Sequence, residues 1–80
     1  MPQFHLNLSN STVSADDEEG VEVADVGEAR ERAIAGIRGF LSHEVAKGTL
    51  DLRGRIEITD DNGASVMIVP FSDAVTVLRS

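Results

Sequence analysis

In a chain of 80 residues, one stretch patterned as a long helix decides most of what the rest can do. From Val26 to Lys47 the apolar residues Val26, Ala29, Ala33, Ile34, Ile37, Phe40, Leu41 and Val45 recur at helical spacing. At about 100° per residue they form one stripe, a little under half the circumference. Glu28, Glu31, Arg32, Arg38 and Ser42 face the other way. Asp25 has the chemistry of an N-cap, and Glu28 stands where a capping box needs its acid. Gly48 supplies a C′ stop, and Lys47 puts a cation in the last turn, where the helix dipole favours it. A helix with one apolar face must bury it, and a chain this short supports one core. Residues 1–80 are therefore read as one domain whose remaining segments supply the helix's partner.

Those segments alternate. Phe4, Leu6 and Leu8 interleave with Gln3, His5 and Asn7, the period-2 signature of a half-buried strand. Ser9-Asn10 suits a turn, because asparagine tolerates positive φ and its side chain can hydrogen-bond nearby backbone. Ser11 to Ala15 holds one strong apolar residue, Val13, and amounts at best to a short edge strand. Val21 and Val23 mark another short extended piece. Leu50 and Leu52 are expected to pin the connector after the helix. Ile56 and Ile58 alternate within Arg55 to Thr59, and Asp60-Asp61-Asn62-Gly63 predicts a hairpin with a primed turn. The returning strand, Ala64 to Phe71, is apolar on both sides. Val66 and Ile68 share one face, and Met67, Val69 and Phe71 the other. Such a strand is either covered twice or presents one face to a partner. Pro70 cannot donate to a ladder, so regular pairing is expected to end near there. Beyond it, Ser72-Asp73 favours a turn of helix, although Val75, Thr76 and Val77 would equally suit a strand. The expected fold is α+β, one long amphipathic helix on a small, mostly antiparallel sheet in the order β-β-α-β-β.

Charge narrows the function. Seven Lys and Arg stand against fourteen Asp and Glu, a formal net charge of −7. Neutralising phosphates needs clustered basic residues, so a nucleic-acid partner is not expected. A basic protein is the better electrostatic match. The absence of cysteine removes disulfides and thiolate chemistry and agrees with a cytoplasmic setting. No signal peptide and no apolar run long enough to span a bilayer is found, so no membrane association is expected.

Few residues look like a site. Asp16, Asp17, Glu18 and Glu19 precede Gly20, but an EF-hand register with Gly20 sixth puts Ala15 first and Val26 twelfth, and both anchors fail. The four carboxylates read as a solvated turn closing on Gly20, with Glu18 and Glu19 guarding a sheet edge, or as a binding surface for a basic partner; a weak divalent-cation site is the least favoured reading. His5 and His43 lie far apart without a spaced acid, a poor metal motif. Gly36 to Gly39 matches the GxxG of a KH loop only as a string, since it lies inside the helix pattern. Those glycines are read as admitting a close neighbour to the helix. Glu44 falls within the apolar stripe, but no nucleophile, phosphate loop or dinucleotide fingerprint accompanies it. No catalytic residue, metal ligand or cofactor is expected. Met67, Val69 and Phe71 are the expected self-association face.

Several strings together carry a resemblance: Phe4-His5, DEEGVE at 17–22, Ala29-Arg30, GRIEITD at 54–60 and VPFSDAV at 69–75. The chain resembles a family of short bacterial proteins, common in alphaproteobacteria, known only as a domain of unknown function. The resemblance implies no activity, cofactor or catalytic residue. It implies that the acidic turn has a role beyond solubility. Asn7 and Ser9-Asn10 stand where relatives often carry a His- or Asp-containing stretch, which weakens any metal reading there. A looser, fold-level analogy is to small antitoxins. The expected function is a non-enzymatic protein-interaction domain, as a homodimer or as a regulatory module whose acidic surface binds a basic protein. A metal-dependent enzyme is the less favoured alternative.

Overall fold

The computed structural model describes residues 1–78. Arg79 and Ser80, the last two residues of the expected single domain, lie outside the described residues. The elements are β1 (Gln3–Ser9), β2 (Ser14–Ala15), β3 (Val21–Glu22), α1 (Val26–Ala46), β4 (Arg55–Asp60), β5 (Ser65–Pro70) and a short 3₁₀ turn (Phe71–Asp73). The fold is α+β, as the pattern predicts. One helix packs on a five-stranded antiparallel sheet in the order β2-β1-β4-β5, with β3 also paired to β1.

The helix begins as its caps require. Asp25 is extended, and its Oδ1 accepts the Glu28 N–H at 2.9 Å. The Glu28 carboxylate reaches back to the Ala24 N–H at 3.4 Å, one residue beyond the usual box partner. Gly48, at φ +93°, closes the other end, where a side chain would be strained. The buried helical residues are Ala29, Ala33, Ile37 and Leu41, a single i, i+4 ridge. Val26, Ile34 and Phe40 flank it, half-buried. Against the ridge lie Phe4, Ile56, Ile58, Val69 and Phe71, closed by Val23 and Ala74. Phe40 and Phe71 meet at 5.7 Å between ring centroids, tilted by 50°. No buried polar or charged residue occurs among the described residues.

Several local expectations change. Val69 and Phe71 are 0% exposed and Met67 is half-buried against the core, so this face of β5 packs under the helix. It is not a self-association surface. The exposed apolar pair is Val66 at 43% and Ile68 at 52%. The β4–β5 turn is not primed, because among the described residues only glycines have positive φ, and here only Gly63 does, at +81°. Gly63 N–H donates to Asp60 O at 3.0 Å, while the Asp60 Oδ1 accepts the amides of Asn62 and Ala64. An unprimed turn followed by a left-handed glycine shifts the register by one residue. A bulge at Val66 adds a second residue to the same strand, which restores the alternation of faces, so that Ile58 meets Met67 and Ile56 meets Val69. Leu52, but not Leu50, anchors the connector to the core; Leu50 is 58% exposed. Nor do the helix glycines admit a close neighbour. A Cβ on Gly36 would meet only Ile56 Cδ1 at 4.0 Å, and one on Gly39 would meet nothing.

The close approach occurs at Gly54 instead. A Cβ there would fall 2.5 Å from Phe71 Cε2 and 2.8 Å from Asn10 Cβ. Phe71 N–H donates to Gly54 O at 2.9 Å, carrying the β4–β5 ladder one step past Pro70. By the antiparallel alternation, the amide groups of Ile68 and the carbonyl of Pro70 then point to the open edge of β5. Pro70 has no N–H to leave unpaired there. The chain leaves the sheet through the 3₁₀ turn, where Arg38 Nε donates to Ala74 O at 2.7 Å. This accounts for an arginine on the polar side of α1.

Candidate functional site

The site is built around β1. One of its edges pairs with β4 from Phe4 to Ser9. The opposite edge is covered in two short pieces: β2 pairs with Leu8 and Ser9, and β3 pairs with Gln3 and Phe4. Between β2 and β3 the chain rises as an arch, residues 16–20, over the middle of β1. The sequence folds this way because Asn10 makes the first turn. Its Oδ1 accepts from Thr12 N–H at 2.8 Å and Val13 N–H at 2.7 Å, which reverses the chain into β2. Gly20, at φ +79°, makes the return; a Cβ there would fall 2.9 Å from Phe4 O.

The four acidic residues of the arch have different tasks. Asp17 turns inward. Its Oδ2 accepts the Leu6 N–H at 3.1 Å, the edge donor that no strand covers, and its Oδ1 accepts the Gly20 N–H at 3.0 Å. Asn7 Oδ1 accepts the Asp17 N–H at 2.9 Å. His5 Nδ1 lies 2.6 Å from Asp17 O, and Gln3 Nε2 donates to Glu19 O. The polar face of β1 (Gln3, His5 and Asn7) therefore holds the arch down, and Asp17 stands in for a missing strand. Asp16, Glu18 and Glu19 remain exposed.

Across from the arch stands the β4–β5 turn. Asp60 is occupied by its own turn amides, but Asp61 is exposed and its Oδ1 lies 3.8 Å from His5 Nε2. Between arch and turn is an open hollow of about 420 Å³, lined by His5, Asn7, Asp16, Asp17, Glu18, Thr59, Asp60, Asp61 and Gly63. No lysine or arginine lines it. The structure thus joins Asp16, Asp17 and Glu18 with two groups the sequence reading did not attach to them, His5 and Asp61. The signal for that union was the alternation of β1, which puts His5 on the face opposite Phe4. What sequence spacing could not supply was the pairing of His5 with Thr59, which brings the turn alongside.

His43 is exposed on the helix, far along the chain from this group. Glu44 is paired with Lys47 at 3.6 Å, and Arg30 with Asp73 at 3.5 Å. Among the described residues no group of three or more His, Cys, Asp or Glu could hold a metal ion, and no helix is long and apolar enough to cross a membrane. Asp51 fastens the connector between α1 and β4. The Arg53 guanidinium, then the Arg53 backbone amide, hold its carboxyl well below the usual carboxylate range, and Ser11 Oγ donates to it at 3.2 Å.

Comparison with known proteins gives a family without a function. Residues 3–72 match the family described as Domain of unknown function (DUF6894), and the chain belongs to it. No curated protein and no solved structure matches the chain.

Proposed function

We propose that this member of the family is a small, non-enzymatic protein-interaction domain that offers its acidic arch to a basic segment of a partner protein. The carrying observation is the division of tasks among the carboxylates. Asp17 is occupied in fixing the arch, while Asp16 and Glu18, with Asp61 opposite, border a hollow that no basic side chain lines. Such a surface is held in place before binding and is not neutralised by the domain itself, which favours steering of a cationic partner. The interior supports a binding role over a catalytic one, since every buried core residue is apolar. A regulatory module of the antitoxin-like kind would use the same surface. The proposed setting is the cytoplasm, in keeping with a chain without cysteine.

The test compares the native domain with D16K/E18K as bait in host lysate, at about 50 mM and about 500 mM salt. Neither side chain makes a hydrogen bond within the described residues, so the variant should fold normally. Capture of a basic protein by the native domain at low salt, lost on charge reversal and at high salt, supports the reading. An identical set of captured proteins for both baits refutes it.

A second reading, self-association, is favoured by Val66 and Ile68, both exposed on a strand with an open edge. Light scattering of the native protein and Ile68→Asp tests it. A dimer mass that halves in the variant supports it, and a native monomer mass excludes it.

A further inference from the structure

We propose that His5 is a proton-operated latch between the acidic arch and the β4–β5 turn. This deepens the reading above, as regulation of the same surface, and depends on that reading for its biological consequence. The argument starts from one contact. His5 Nδ1 lies 2.6 Å from the Asp17 carbonyl oxygen. A carbonyl oxygen can only accept, so Nδ1 must carry the proton in the neutral ring as well as in the cation. The neutral ring therefore turns a bare lone pair on Nε2 towards Asp61 Oδ1, 3.8 Å away, acceptor facing acceptor. Protonation puts an N–H on Nε2 and converts this contact into an ion pair. The ring then grips both sides of the hollow at once, the arch through the Asp17 carbonyl and the turn through Asp61.

The arch presents Asp16, Asp17 and Glu18 to the hollow, and the end of β4 with its turn presents Asp60 and Asp61. Asn7 and Thr59 face it from β1 and β4 without charge, and Glu57 lies one row further along β4, opposite Asn7. Every charged group facing the imidazole is an acid. A proton on His5 both closes the latch and offsets part of the charge that would attract a basic partner. The surface is thus most available to such a partner when the ring is neutral.

The test needs no partner, so its failure is distinct from failure of the interaction reading. Nitrogen-15 spectra of the imidazole at about pH 8 report the tautomer. A neutral ring protonated at Nδ1 is expected, and one protonated at Nε2 overturns the proposal. Protection factors of the Leu6 and Gly20 amides, which close on Asp17, report opening of the arch. Between about pH 8 and about pH 5.5 they are expected to rise about two- to fivefold in the native protein, the range of a single exposed ion pair. They are expected to stay level in Asp61→Asn, and in His5→Asn, whose amide can still donate to the Asp17 carbonyl but cannot take up a proton. No rise in the native protein, or the same rise in Asp61→Asn, overturns the latch.

Discussion

Truncating Asp17 separates a structural carboxylate from its three neighbours in sequence. In Asp17→Ala the Leu6 and Gly20 amides lose their acceptor. A hydrogen bond to an ionised group contributes about 1.5–3 kcal/mol net when buried. Both amides here are half-buried, so water recovers part of the loss, and the pair is expected to cost about 2–3 kcal/mol. At about 4–8 °C per kcal/mol for a domain of this size, Tm falls by about 10–20 °C. Asp17→Asn does not rescue it, because one amide then faces an NH₂ group. Asp16→Ala, with no hydrogen-bonding partner, changes stability by less than about 0.5 kcal/mol. Urea denaturation followed by circular dichroism measures all three, with an unchanged m-value showing that the comparison is like for like. Equal costs for Asp17→Ala and Asp16→Ala would refute the claim that Asp17 replaces a strand at the β1 edge.

Two glycines give substitutions of opposite sign. Gly54→Ala drives a methyl into the buried Phe71 ring and is expected to destabilise by about 2 kcal/mol or more, whereas Gly39→Ala, in open space within α1, is expected to stabilise by about 0.5–1 kcal/mol; thermal denaturation reads both. The Asp51 carboxyl is depressed in the folded state, so its contribution is complete above the unfolded value of about 3.9 and is lost only as pH falls below it. Asp51→Asn should therefore lower stability by a constant amount from about pH 5 upward and converge with the native protein only in stronger acid; a difference already vanishing at about pH 6 would contradict the assignment.

The helix was legible because its signals are local. Asp25, Glu28 and Gly48 act over one turn, and the apolar stripe marks its own inner face. The alternation of β1 was legible for the same reason, whereas Pro70 faces the open edge and the ladder runs one step past it. The inner face of β5 was not legible, since Val66 and Ile68 are as apolar as Met67 and Val69. The choice is made across the hairpin by Ile56 and Ile58, through a turn and a bulge that each add one residue to β5 and together keep its faces in step. The acidic run was visible as a cluster, but its internal division was not. Asp17 differs from Asp16 and Glu18 only because Leu6 N–H, eleven positions away, has no strand partner. Likewise Gly36 and Gly39 drew notice for a pattern, while the glycine that matters sterically, Gly54, carried no local mark.

The two edges of the sheet are guarded by different kinds of barrier. At β5 the guard is built into the chain: Pro70 lacks a donor and Val66 bulges, whatever the molecule is doing. At β1 the guard is a roof resting on two pairs with β2, two with β3, the Asp17 carboxylate and the side chains of Gln3, His5 and Asn7. A roof can lift while the rest of the domain stays folded, through a local fluctuation costing far less than global unfolding. Each lift bares the middle of β1 as a template for a strand from another molecule. Association through this edge is therefore expected to follow how often residues 16–20 come away rather than the melting temperature.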